Sequence, residues 1–313
     1  FSDTYATARL RFINAAKKQQ GVLWRYPIDA RGPSGEELTI DVCRFGKPDS
    51  KKLVIISSGT HGVEGFFGSS VQLAFLEQEK KLPEDTALIM IHAINPFGFS
   101  HLRRVNEDNI DLNRNFIAEG EKHVGAHPGY AKFNELLNPE KAPGSFEFFL
   151  FRALFNIVIH GLPNLKNAIA QGQYEYPKGI FYGGSEASQS QCILKNNFKE
   201  WVGEATEIVH LDLHTGLGKS ASYVLGVGGQ LTERHLNKWR SAFGEENIQT
   251  LDPSGELYEI RGEFGSWCQS LFSDRNYAAF LAEFGTYPIL KVIKALCEEN
   301  RATHWATPNT TID

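Results

Sequence analysis

Tyr5, Ala8, Phe12 and Ala16 recur at intervals of three and four, which predicts an amphipathic N-terminal helix that Gly21 can end. Leu38, Ile40 and Val42 then alternate with polar residues, the period of a half-buried strand, and a hairpin at the sheet edge is expected there. Residues 53–56 and 87–94 are continuous apolar runs, short and β-branched, as in strands buried on both faces of a parallel sheet. Residues 66–79 between them have helical character. Residues 208–213 and 278–282 read as further strands, with helices between or after them. This alternation predicts an α/β fold: a single domain over 1–313 with a mixed, largely parallel central sheet flanked by helices.

Residues 128–184 fit the alternation poorly. They are rich in Phe, Pro, Asn and Gly, with helices expected over 130–137 and 146–159, and they read as an insertion packing on the sheet. No repeat of solenoid period and no low-complexity tract is present, and 308–313 reads as a loose tail.

A chain of 313 residues with 42% hydrophobic content can bury a substantial core, which excludes disorder as its main state. Its formal charge of -5 leaves no basic field for nucleic acid or an anionic membrane surface. The most apolar stretch, 148–162, contains Arg152 and His160 and falls short of the roughly 20 residues that span a bilayer. Cys43, Cys192, Cys268 and Cys297 are far apart, so scattered buried thiols are expected rather than a thiolate metal site or a disulfide framework. The cytoplasm is the default compartment; the start at Phe1 rather than Met leaves a removed leader open.

Polar residues gather where the apolar runs stop. Residues 53–56 lead directly into Ser57-Ser58-Gly59-Thr60-His61-Gly62-Val63-Glu64-Gly65. If a helix starts there, the i,i+3 spacing puts His61 and Glu64 on one side, at the carboxyl end of a parallel strand, where α/β folds bind ligands. The pair can converge on a metal, or simply satisfy a helix N-terminus. Val209-His210-Leu211-Asp212-Leu213-His214-Thr215-Gly216 is a second strand running into Gly, with His214 at its end as a third ligand. His210 shares the face of His214 but lies earlier in the strand, and reads as a packed or hydrogen-bonded core histidine. Two His and one Glu leave tetrahedral zinc one open position, the catalytic arrangement, and nickel or cobalt would also suit the set. Glu283 ends the apolar run 277–281; among apolar neighbours its pKa moves toward neutrality, which suits acid–base work, unless it is an ordinary helix-start carboxylate. The remaining cluster comprises Asn95-Pro96-Phe97-Gly98, residues 103–109 from Arg103-Arg104 to Asn109, and Asp111-Leu112-Asn113-Arg114-Asn115-Phe116. Its guanidinium forks can hold a carboxylate or stabilise an oxyanion, or can belong to a solvated loop.

The ordered string H-x-x-E, N-P-x-G, D-x-N-R-N-aromatic, D-x-H and a late E-F, spread over residues 52–287, resembles the zinc carboxypeptidase family of carboxypeptidase A with its aspartoacylase and succinylglutamate desuccinylase relatives. With residues 103–109 and Gly179-Ile180-Phe181-Tyr182-Gly183-Gly184, it looks most like a bacterial branch of that family. The resemblance implies the zinc-carboxypeptidase/phosphorylase-like fold and one zinc ion on His61, Glu64 and His214. It makes Glu283 the general base and then acid, Asn113 and Arg114 the receivers of a substrate carboxylate, and Asp111 the acid that orients the first histidine ligand. Either Arg104, which the spacing prefers, or Arg103 polarises the scissile carbonyl. Tyr182 and Tyr258 both remain open as the family's substrate-binding tyrosine. The implied activity is zinc-dependent hydrolysis of an amide next to a free carboxylate, carboxypeptidase-like on short peptides. The alternatives are an N-acyl amino acid deacylase of the aspartoacylase type, to which a cleft narrowed by residues 128–184 would be suited, and a binding protein without turnover.

Overall fold

A computed structural model describes residues 1–78, 81–144, 148–227, 233–250 and 260–307. Thr4 caps helix α1 (Tyr5–Lys18), its Oγ1 accepting from Thr7 N at 3.1 Å, and the stripe of Tyr5, Ala8, Phe12 and Ala16 is the buried face. The chain then forms an antiparallel hairpin of β1 (Val22–Arg31) and β2 (Glu37–Phe45), with β1 at the sheet edge. Burial in β2 departs from the half-buried expectation, because all its interior positions are covered. Thr39 and Asp41 bond Tyr5 and Arg9 of α1 on one face, while Ile40 and Val42 join Trp201 of the later helix α7 (Gln189–Val202) on the other.

Strands β3 (Lys52–Ser58) and β4 (Thr86–His92) follow, linked by α2 (Gly65–Glu77); α3 (Pro96–Ser100) comes after β4. The later strands are β5 (Glu207–Thr215), β6 (Tyr223–Val227), β7 (Ile248–Thr250) and β8 (Asn276–Phe284). The eight strands lie in the order β1-β2-β4-β3-β5-β8-β6-β7. Its centre, β4-β3-β5-β8, is parallel, and the antiparallel pairings lie outside it, so the sheet is mixed with a parallel heart. Continuous apolar runs are needed there because helices cover both faces. Ile55, Ile89 and Ala279 face Phe198 and Trp201 of α7 and Phe264 and Trp267 of α9 (Phe264–Ser270). Ile56, Met90 and Phe280 face Phe12 of α1, Leu76 of α2 and Leu236 of α8 (Glu233–Phe243).

Within residues 128–184 the helices pack away from the sheet, contrary to expectation, while Tyr182 joins the core under it. Helix α4 (Tyr130–Leu137) falls on the anticipated residues, α5 (Phe149–His160) begins later than expected, at a point where residue 146 lies outside the described residues, and α6 (Leu162–Gln171) was not anticipated. Their apolar residues form a separate cluster with Ile293 and Cys297 of α10 (Ile289–Trp305), to which no strand contributes. Cys43, Cys268 and Cys297 are buried free thiols, but Cys192 is exposed, on the outer side of α7. No helix among the described residues is long and apolar enough to cross a membrane. The 308–313 tail lies outside the described residues.

His92 ends β4 beneath α1, stacked on Phe12 with ring centroids 4.7 Å apart, its Nε2 at 3.0 Å from Ser69 Oγ. Burial pushes its pKa down to about 4. The unfolded chain therefore takes up this proton at a higher pH than the folded one. The neutral ring's contribution is complete above the unfolded value of about 6.5 and is lost as pH falls toward 4. Urea midpoints should fall over that window, and His92→Gln should flatten the part of the slope that is due to this ring.

Candidate metal centre

The carboxyl ends of β3, β5 and β8 meet at one point. After β3, His61 caps a single 3₁₀ turn, Gly62–Glu64, that runs into α2. A 3₁₀ turn eclipses positions i and i+3, so His61 and Glu64 meet although the turn is not the α-helical one expected. Gly62 and Gly98 make this approach possible: a Cβ on Gly62 would lie 2.1 Å from the Gly98 carbonyl carbon. The turn is also stitched to the chain beyond α3 by hydrogen bonds from Gly62 N to Arg104 O and from Val63 N to Arg103 O. Asn95 fixes the same corner, its Oδ1 accepting from Gly98 N and its Nδ2 donating to Arg104 O. The H-x-x-E and N-P-x-G motifs are thus two sides of one backbone contact.

His214 and Glu283 are register partners on β5 and β8. The ligand atoms of His61, Glu64 and His214 lie within 4.8 Å of one another, and all three residues are buried. His61 Nδ1 is 2.9 Å from Glu64 Oε1 and 3.1 Å from His214 Nδ1, which is itself 3.3 Å from Glu64 Oε2. Each ring turns its other nitrogen to a buried aspartate. His214 Nε2 is 2.6 Å from Asp212 Oδ2, and His61 Nε2 is 3.2 Å from Asp111 Oδ1, off the line of a full hydrogen bond. With the protons on the Nε2 side, both Nδ1 lone pairs and a carboxylate face one point. That donor set fits a cation of the zinc type, with Asp212 bonded to the outer nitrogen of His214 and Asp111 close to that of His61.

The charges agree. Burial opposes ionisation of Glu64, but His61 and His214 outweigh it and hold the carboxyl far below its ordinary range. Burial likewise disfavours a charged His214, but Asp212 and Glu64 overcome it and raise its pKa well above the ordinary value. A site that pulls a proton onto a buried imidazole is negative enough to attract a metal cation. Glu283 is raised, first by burial and then by the Glu64 charge; Leu217 N holds its Oε1 at 2.8 Å.

The remaining candidates separate. Arg104 turns into the centre: its Nε donates to Asp111 Oδ2 at 2.9 Å, its Nη1 lies 3.6 Å from Glu64 Oε1, and its guanidinium is 5.4 Å from the Phe181 ring. Arg103 turns away, to Glu299 of α10 at 2.6 Å and Asn109 at 3.0 Å. Asn113 is buried, its Oδ1 accepting from Phe264 N at the start of α9. Arg114 is buried beside Phe181; it donates to Asn113 O and Ile169 O, and its Nε has no partner among the described residues. Asp111 also caps its own turn through Asn113 N. The Tyr182 ring packs in the core under the sheet and its carbonyl holds Asp111 N at 2.7 Å, while Tyr258 lies outside the described residues.

Two features were missed from sequence. Asp212 supports His214 as Asp111 supports His61, and its signal was available: D-x-H in a strand puts both side chains on one face. Phe181, lying beside both Arg104 and Arg114, carries no such signal.

A family model described as "Protein of unknown function (DUF2817)" matches residues 1–312. The chain belongs to that family. Among solved structures, this DUF2817 chain is similar to carboxypeptidase A from Helicoverpa armigera, with a TM-score of 0.51 and 12% identity over 96% of this chain and 71% of the other. That likeness shows a shared fold. Bovine thrombin-activatable fibrinolysis inhibitor follows at a TM-score of 0.49 and 12% identity, over 97% of this chain and 95% of that one. The succinylglutamate desuccinylase from Chromobacterium violaceum has a TM-score of 0.44 and 14% identity, over 96% and 75%. A comparison with curated proteins finds no match.

Two outcomes are expected. Metal-stripped protein should take up one zinc per chain on titration, and His214→Ala should abolish that uptake while the far-UV spectrum is kept. Gly62→Ala should destabilise the fold by about 3 kcal/mol through backbone overpacking and weaken metal uptake, read from urea curves and chelator competition.

Proposed function

We propose that this DUF2817 chain is a zinc-dependent hydrolase that cleaves an amide bond next to a free carboxylate, in short peptides or N-acyl amino acids. The observation that carries the reading is the convergence of His61 Nδ1, Glu64 and His214 Nδ1 within reach of one cation, with Glu283 at the neighbouring register position. Zinc held by those residues supplies Lewis acidity toward a carbonyl oxygen and makes water easier to deprotonate.

The rest is done by the chain. Only Oε1 of Glu283 is tied to the backbone among the described residues, which leaves Oε2 to take a proton from the attacking water and pass it to the departing nitrogen. Its raised pKa lets it hold that proton in transit. Arg104 is braced at Nε by Asp111, so its Nη groups are held as a fixed fork beside Glu64, where oxyanion charge would develop. Arg114, a buried cation whose Nε has no partner among the described residues, suits a substrate carboxylate, with Asn113 beside it.

A specific observation favours the deacylase alternative over long peptides. Phe181 flanks both guanidinium groups, and Ile169 of α6 supplies a carbonyl to Arg114. The 128–184 segment thereby borders the cleft, which favours a small substrate.

Zinc-loaded protein should be assayed on a mixed library of short peptides and N-acyl amino acids, with Glu283→Gln alongside. Loss of one C-terminal residue supports the carboxypeptidase, and release of an acyl group from a single amino acid supports the deacylase. Glu283→Gln should keep zinc and lose about 10²–10⁴-fold in turnover. Unchanged turnover would remove Glu283 from the mechanism. No hydrolysis of any member by zinc-loaded protein would point instead to a binding protein.

A further inference from the structure

Beneath the metal centre, one face of the sheet carries a file of buried polar groups that the reaction does not use. Tyr277, His210, Ser57 and Asp212 lie on β8, β5, β3 and β5, all on the side covered by α7 and α9, and all almost fully buried. Tyr277 OH is 2.9 Å from His210 Nδ1, His210 Nε2 is 2.7 Å from Ser57 Oγ, Ser57 Oγ is 2.6 Å from Asp212 Oδ1, and Asp212 Oδ2 is 2.6 Å from His214 Nε2. Thr60 Oγ1 adds contacts of 3.0 Å to both Asp212 oxygens.

The donor inventory leaves one assignment of the protons. Ser57 Oγ donates to Asp212 Oδ1, so its single hydroxyl proton is spent there. Ser57 Oγ then offers His210 only a lone pair, so His210 Nε2 carries a proton and donates. A neutral His210 leaves Nδ1 bare, and it accepts from Tyr277. Burial pushes the His210 pKa down to about 4, which keeps the ring neutral near pH 7. Edge-on packing against Phe264, with centroids 5.3 Å apart, holds the ring in this orientation. Every bond in the file points the same way, toward the carboxylate that orients His214.

We infer that Ser57 and His210, with Tyr277 behind them, are positioning residues for the metal ligand His214. By donating in series they fix the Asp212 carboxylate as a pure acceptor, which pins the His214 proton on Nε2 and presents Nδ1 to the cation. This rests on the metal-centre reading. Aligned donors polarise one another, so breaking the file at Ser57 weakens the hold on His214 without touching a ligand.

The test uses the full chain as wild type, Ser57→Ala, Ser57→Thr, His210→Phe and His210→Gln. Long-range ¹H–¹⁵N spectra of histidine-labelled protein read the tautomer of His210, which should be Nε2–H at neutral pH. Zinc affinity by chelator competition should weaken about tenfold in Ser57→Ala and His210→Phe, the lower end for an outer-shell loss. Ser57→Thr and His210→Gln retain the donor and should stay near wild type. A His210 protonated on Nδ1, or variants that lose melting temperature at unchanged zinc affinity, would overturn the relay and leave the metal centre standing. A wild type that binds no zinc would sink the metal centre, and the relay's role with it.

Discussion

Lone pairs and like charges repel, yet His61, Glu64 and His214 are packed with their acceptor atoms 2.9–3.3 Å apart in a buried corner. Such an arrangement persists only if something on the far side of each ring holds its proton there and a positive charge compensates on the near side. Asp212 does the first for His214, and Asp111 lies 3.2 Å from the outer nitrogen of His61. The raised pKa of His214 and the depressed pKa of Glu64 express the second: both show a corner that favours positive charge.

The architecture serves this corner. Parallel strands bring three chain segments to one end of the sheet with the same polarity, so β3, β5 and β8 deliver the His61–Glu64 turn, His214 and Glu283 without any long loop having to be ordered. The Gly62–Gly98 contact lets the first turn close against the strand ends, and α3 and the Arg104 segment follow from it. The 128–184 segment contributes differently. It builds a small core with α10 and reaches the site through Ile169, Phe181 and Tyr182. The strand-end cluster and the surroundings of Arg114 are thus made by different parts of the chain.

Much of this was legible in the sequence because buried parallel strands leave continuous apolar runs and because the polar residues ending them have fixed spacings. Residues 53–56, 208–213 and 278–282 each led to a strand with the expected polar residues at or just beyond its end. His210 was read as a bonded core histidine, which is how it sits. What the periodicity missed depended on tertiary cover. β2 looked half-buried because its polar residues, Thr39 and Asp41, are not solvated but bonded to Tyr5 and Arg9. The placement of the 128–184 helices on α10 could not be read, since an apolar helical face does not state its partner. Spacing alone favours Arg104 over the adjacent Arg103; in the structure Arg103 goes to Glu299 and Arg104 to Asp111.

The pairing of β5 with β8 runs without a bulge from Glu207 beside Asn276 to Thr215 beside Phe284. Because side chains alternate across a strand, a shift of one residue would carry Glu283 through the sheet to the face covered by α1 and α2, leaving His214 where it is. A two-residue shift would restore the face but displace the carboxylate by nearly 7 Å along the strand. The register of β8 on β5 is therefore as much a part of the site as the residues it brings together.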